Sequence, residues 1–329
     1  MSRQLTSGVL GRKKDIDFII LVNTELAGSE SDTMQLPIRG TDMIIDWGDG
    51  TVQTGITQTT SPSSANWVTH QYTTAGLYQI KIRGLDWIFF NNTGDRLKLL
   101  EIQNWGTGQW ATMVGAFNGC SNMTGTFTDV PNLSNVTSMG SMFRAATKFN
   151  GDISGWDTGN VEDMSLMFLL ATNFNSDISN WDVSNVEDMR NMFQQTNNFN
   201  SDISQWDVGN VTDMRNMFYI ATNFNSDISQ WNTAKVEDMS RMFQVATKFN
   251  GNISGWNVSN VTDMDRMFQQ ASSFNQDLSD WCVEKIASRP NNFDHLAHSW
   301  IYNTNGDTGS TDGVDPATII NRPIWGTCP

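Results

Sequence analysis

Histidine and cysteine are nearly absent from this chain, with 3 of each in 329 residues. His295 and His298 are close enough to share a face, but no Cys or Glu cluster accompanies them, so a metal centre lacks its ligands. No nucleophile–base pairing, glycine-rich phosphate loop or His-Glu-x-x-His motif occurs, and enzymatic chemistry is not expected. No run of 18 apolar residues is present, so no transmembrane helix and no membrane insertion are expected. Charge is scarce at 17% of residues and leans to one sign, with net −15 and a pI near 4.4. Such a surface repels nucleic acid and anionic lipid, so neither is expected as a partner. Gly, Asn, Ser and Thr fill the polar positions, which fits a rigid, many-turned extracellular or virion protein better than a cytosolic enzyme.

What is present in abundance is repetition. Phe-Asn recurs at Phe149-Asn150, Phe174-Asn175, Phe199-Asn200, Phe224-Asn225, Phe249-Asn250 and Phe274-Asn275. Trp follows at 156, 181, 206, 231, 256 and 281, and a Met-Phe pair closes each copy, from Met142-Phe143 to Met267-Phe268. A fixed period in the range of about 20–50 residues marks stacked units that bury their apolar side only against their neighbours. Val161, Met164, Met167, Phe168 and Ala171 are spaced as on one face of a helix. Asn160 is placed as its N-cap and Asp163 in its first turn. Lys235 replaces the capping Asn in one copy, so that helix should start less well. Ile178 and its equivalents suit a brief strand. One short strand and one helix per coil are therefore expected, with Phe, Met, Ile and Trp in internal columns.

The phrase from Phe199 to Phe218 resembles the 25-residue repeat of BspA-like, leucine-rich-repeat-type surface proteins, which is also found in Mycoplasma lipoproteins. The resemblance implies a non-catalytic adhesion or surface role. Further back, Ile44-Ile45-Asp46-Trp47-Gly48-Asp49-Gly50-Thr51, followed by His70-Gln71-Tyr72 and Gly76-Leu77-Tyr78, resembles the PKD-like β-sandwich. That implies an immunoglobulin-like module of antiparallel strands. The expected fold class is thus α+β: an immunoglobulin/PKD-like sandwich, then a solenoid of strand–helix repeats with a C-terminal cap. The boundaries expected are a basic arm over 1–14, the sandwich over 15–95, the solenoid over 96–281 and the cap over 282–329. Candidate strands in the sandwich are 16–22, 43–46, 69–72, 77–82 and 87–90, and 58–65 reads as a surface loop.

The end of the chain, Pro323-Ile324-Trp325-Gly326-Thr327-Cys328-Pro329, resembles the terminal cap of the same repeat family. Cys282 and Cys328 are then either bridged, last coil to cap, or two reduced and buried thiols. A bridge would contribute roughly 3–4 kcal/mol in the chain-entropy account. Cys120 remains unpaired and is expected in the core.

Candidate contact residues are few. Helical angle places Leu169, Gln194, Tyr219, Gln244 and Gln269 far from the buried face, and the differences among copies there suit a binding surface. Scattered surface residues without a role are the plainer reading. Arg3, Arg12, Lys13 and Lys14 make either a disordered arm or a basic docking arm for an acidic partner surface. The short run from Phe18 to Val22 follows two aspartates and is no secretory signal; for a complete chain that argues for folding inside the cell that makes it. Asp152, Asp177, Asp202, Asp227 and Asp277 form one column, with Asn252 in the remaining copy. Either each accepts backbone N–H bonds in its own turn, or weak Ca²⁺ or Mg²⁺ bridging joins them; one Asp per coil supplies few of the six to eight oxygens calcium wants. No other cofactor is expected. The function expected is that of a structural or adhesive component of a bacteriophage virion, on capsid or tail, contacting other virion proteins or a host surface protein or glycan. The alternative is a bacterial cell-surface BspA-like adhesin, and a homo-oligomer is allowed.

Overall fold

The computed structural model describes residues 16–63, 65–301 and 321–329. Its strands are β1 (Phe18–Asn23), β2 (Thr33–Leu36), β3 (Ile38–Asp46), β4 (Val52–Gln58), β5 (Val68–Gln71), β6 (Leu77–Ile88), β7 (Leu99–Asn104) and β8 (Thr124–Gly125). One six-stranded sheet runs in the order β4-β3-β6-β1-β7-β8, and β2 pairs with β5 in a second sheet. All pairs are antiparallel except β7 with β8. Period-two alternation explains the layering. Phe18, Ile20 and Val22 of β1 and Ile80 and Ile82 of β6 turn inward with Met34 and Leu36 of β2, and all are buried.

The Asp-Gly turn forms as its chemistry dictates. The Trp47 N–H donates to the Thr51 carbonyl at 3.0 Å, and Gly50 sits at φ 93, a conformation that costs glycine little. His70 stacks on Trp47 with centroids 4.7 Å apart, and its Nε2 lies 2.8 Å from Asp49 Oδ2. The buried Tyr72 hydroxyl donates to the Trp47 carbonyl. A second clasp lies beside the end of β1, where the Asn23 N–H donates to the Lys98 carbonyl. Asp95 and Lys98 are fully buried, 3.7 Å apart. Lys98 Nζ donates to the carbonyls of Ser29, Glu30 and Thr33, while Asp95 accepts from the backbone of Ser29 and Gln35. Gly28 is required beside them, because a Cβ there would stand 2.2 Å from Asp95 Oδ1.

The repeats do not build the strand–helix units, nor the α+β class, that their spacing predicts. The described residues are nearly all strand and turn, and α1 (His298–Ile301) is the one α-helix among them. In the copy expected to be helical, Met167 N–H donates to the Met164 carbonyl and Ala171 N–H to that of Phe168, closing separate turns. Between those bonds, Leu166 N–H donates to Arg190 and Leu170 N–H to Gln194, both in the next coil. A helix would direct every N–H back into its own coil. Leu166 and Leu170 have φ of 60 and 64, and the same left-handed pair recurs at Asn191 and Gln195, Asn216 and Ile220, Arg241 and Val245, and Arg266 and Gln270. Two left-handed residues four positions apart in each coil end successive turns as a type II turn does and forbid a continuous helix. Spacings of three and four suit consecutive turns as well as a helix, which is why the pattern misleads.

Two local expectations fall with the helix. Asn160, placed as an N-cap, donates its Nδ2 to the Ser134 carbonyl of the preceding coil, and its equivalents Asn185, Asn210 and Asn260 behave alike. Asp163, placed in a first turn, lies on a ladder of parallel bridges running Ser138, Asp163, Asp188, Asp213, Asp238, Asp263. The ladder passes through these aspartates, whereas the predicted strand at Ile178 carries no strand pairing.

Because successive copies superpose, like side chains meet. Phe168, Phe193, Phe218 and Phe243 stack at 5.7 Å, and Phe174, Phe199, Phe224 and Phe249 at 5.8–6.1 Å. Each Trp from Trp181 to Trp281 donates its Nε1–H to an isoleucine carbonyl of the coil before, at 3.0–3.1 Å. An amide ladder runs outside: the Asn200 N–H donates to Asn175 Oδ1 and that of Asn225 to Asn200 Oδ1.

Both ends of the stack are fitted. At the start, β7 belongs to the first coil yet pairs with β1, and Trp105 meets Phe117 and Trp156 edge-on at 76° and 88°. At the far end, Phe293 stands edge-on to Phe268 and Trp300 edge-on to Phe274. The last rung also slips by one residue. Its left-handed positions fall at Asn292 and Leu296, 26 residues beyond Arg266 and Gln270, and the Phe293 and His295 N–H groups return to Pro290 and Asn292 within the rung. Cys282 and Cys328 are joined by a disulfide, and Cys120 is a buried free thiol.

Candidate interaction surface

The outer side of the turn ladder is where the copies differ. Leu169, expected to be exposed, is only 6% exposed. The helical angle that turned it outward does not apply, since the residue after each Phe sits within a turn and its carbonyl accepts from the previous coil: Ala145 N–H to Leu169, Gln195 N–H to Tyr219. Gln194, Tyr219, Gln244 and Gln269 are half-buried. Part of their hydrogen-bonding capacity is used along the row, with Gln244 Nε2 donating to Gln269 Oε1 and Gln194 Oε1 accepting from Asn191. Leu170, Gln195, Ile220, Val245 and Gln270, the left-handed residues one step on, are half-buried or exposed and differ as much between coils. They border the same face, whereas the helical angle singles out the residue before each of them.

Two aspartate columns run along the stack in different states. Asp177 accepts from Ser179 N–H at 2.9 Å, and Asp152, Asp202, Asp227 and Asp277 do the same two residues on. Asn252 does so with Ser254. These bonds favour the charged carboxylate and hold Asp152, Asp177, Asp202 and Asp227 below the usual carboxylate value. The ladder column behaves oppositely. Burial raises Asp188 and Asp213, although the backbone N–H groups of Arg190 and Arg215 and their guanidinium charges pull back. Arg190 pairs with Asp188 at 2.8 Å, and Arg215 reaches Asp213 at 3.3 Å and Asp238 at 3.7 Å. The sequence reading weighed only the first column, because the second was assigned to helix starts.

Among the described residues no three His, Cys, Asp or Glu side chains converge as a metal site. His295 contributes its carbonyl to the Gln270 N–H, and His298 opens α1. Arg3, Arg12, Lys13 and Lys14 lie outside the described residues. No helix among the described residues is long and apolar enough to cross a membrane. A cavity of about 240 Å³ lies where the first sheet meets the first coil, lined by Phe18, Ile82, Leu85, Trp105 and Trp110. Its rim residue Arg83 pairs with Asp17 at 2.9 Å. Its lining joins β1 and β6 to the residues that follow β7.

The family model described as "Mycoplasma protein of unknown function, DUF285" matches residues 84–205 and 188–300, two overlapping stretches that cover the stack and its approach. No curated protein and no solved structure matches the chain.

Proposed function

Since the chain belongs to the DUF285 family of Mycoplasma proteins of unknown function, we propose that it is a non-enzymatic structural or adhesive protein, a component of a bacteriophage virion. It contacts a host surface protein or glycan, or a neighbouring virion protein, through the stack. One observation carries this reading: side chains repeated from coil to coil fill the core, while the turn side of the stack changes between coils, as at Leu166, Asn191 and Arg241, at Gln194 and Tyr219, and at Ile220 and Val245. A fixed scaffold with one variable face is the arrangement repeat proteins use for recognition. The N-terminal sheets, with the Trp47–Asp49–His70–Tyr72 clasp, are read as a PKD-like spacer that holds the stack away from its attachment. Mass spectrometry and immunogold labelling of purified particles test the placement; a protein absent from particles rules it out. The second reading, a bacterial cell-surface adhesin, draws on the family's description as Mycoplasma protein. Protease shaving of intact cells that releases stack peptides favours it over the virion.

A further inference from the structure

The coil that closes the stack is assembled from two separate pieces of chain. Residues 290–297 supply the ladder side, receiving N–H bonds from Arg266, Phe268 and Gln270. The opposite side comes from 321–329. There the Leu278 N–H donates to the Asn321 carbonyl at 3.0 Å and the Val283 N–H to that of Thr327 at 2.8 Å. Charge and ring contacts complete the fit. The buried Asp294 pairs with Arg322 as well as Arg289, the Arg322 guanidinium lies 4.7 Å from the Trp300 ring, and Trp325 meets Phe293 edge-on at 4.9 Å. The second piece is otherwise thinly held. Its residues from Ile324 onward are exposed apart from the half-buried Trp325, and its covalent tie to the last coil is the Cys282–Cys328 disulfide, with Cys328 exposed to solvent.

We propose that 321–329 is an exchangeable closing rung locked by this disulfide: reduction releases it, and the vacated end accepts the same segment from a second copy. Two electrons and two protons from an added dithiol convert the disulfide to two thiols, and the dithiol becomes its own disulfide. Release uncovers the Leu278 and Val283 donors and leaves Asp294 with one guanidinium in place of two. A buried carboxylate short of a partner and backbone N–H groups short of acceptors are costly to leave open. The occupant that restores every lost contact is a second Asn321–Cys328 sequence, its arginine matched to Asp294. Such exchange between identical chains needs no new contacts.

Two measurements test this on the full chain. Hydrogen exchange before and after dithiothreitol should show the Leu278 and Val283 amides speeding up by roughly tenfold or more while Met214 and Phe218 stay protected. Unchanged protection at Leu278 and Val283 overturns the release. The exchange is read with Cys282→Ser and Cys328→Ser proteins, each in a Cys120→Ala background and checked for cooperative melting. Mixed, reduced and reoxidised, they should give a heterodimer on non-reducing gels whose linking peptide joins Cys282 to Cys328. A mixture that stays monomeric, or links only through Cys328 to Cys328, overturns the exchange. If Cys120→Ala does not fold, the same mixture with the buried Cys120 retained gives the same readout by peptide mapping.

Discussion

The N-terminal sheets and the coil stack satisfy the same backbone groups in contrasting ways. In the sheets, antiparallel strands far apart in sequence pair, and single residues such as Asp95 and Lys98 each make several bonds to the loop between β1 and β2. In the stack, each bond joins a residue either to its own turn or to a position about 25 residues on, and the same bond is made in coil after coil. One region concentrates its stability and the other distributes it. A substitution in the first should therefore act as a single large loss, and one in the second as a local fraction of a shared total.

The sharpest break of this comparison uses chain length. Removing 199–223, one whole period, should leave a cooperatively folded protein, because 174–198 and 224–248 present matching surfaces; removing 199–210 alone should abolish folding. Circular dichroism and thermal melting distinguish the two, and equal damage from both deletions would contradict the nearest-neighbour picture. Next in size, Asp95→Ala should cost about 3–5 kcal/mol by stranding the buried Lys98, whose ammonium burial already disfavours. Urea titration should show that loss, with the m-value reporting whether the stack stays folded. Trp206→Phe keeps the ring stack but loses the bond to the Ile178 carbonyl, so about 0.5–1.5 kcal/mol is expected from the same titration.

The smallest effect is in pH, and its sign differs by column. The lowered carboxylates, Asp177 among them, stabilise the fold above the ordinary value of 3.8, and that contribution is lost as pH falls through and below it. Raised Asp188 and Asp213 work the other way: the fold binds their protons more readily than the unfolded chain, so acidification towards the ordinary value stabilises it. The melting temperature should rise slightly from neutral pH before it falls in stronger acid. Asp188→Asn with Asp213→Asn should flatten the rise and leave the fall, and an unaltered profile would refute the assignment.

How much of this was legible in the sequence follows from the same contrast. Repetition exposes the inward rows, since Phe, Trp, Val and Met recur wherever the stack needs them. It cannot expose the turn type, because from Ser141 to Gln270 the left-handed positions hold Ser, Ala, Leu, Asn, Gln, Ile, Arg and Val, and glycine marks them in the first coil alone, at Gly115 and Gly119. Those conformations are stabilised by the bonds to adjacent coils, which exist only once the coils are stacked. Leu169 was misplaced for that reason. In the sheets, β2 was missed because Thr-Met-Gln-Leu, although it alternates, is four residues long, and β4 because Val-Gln-Thr-Gly-Ile-Thr-Gln is an edge strand with little to bury. The pairing of β1 with β7 joins residues some eighty positions apart, beyond the reach of any local pattern.

That pairing gives the molecule a direction of assembly. Synthesis delivers the N-terminal sheets first, and domains fold as units while the chain emerges. With β1 in place, β7 is laid down on an existing template, and every later coil meets a finished surface to condense on. The costly nucleus that an isolated run of turns would have to find by chance is thereby supplied once, at the ribosome-distal end, and growth proceeds in step with translation.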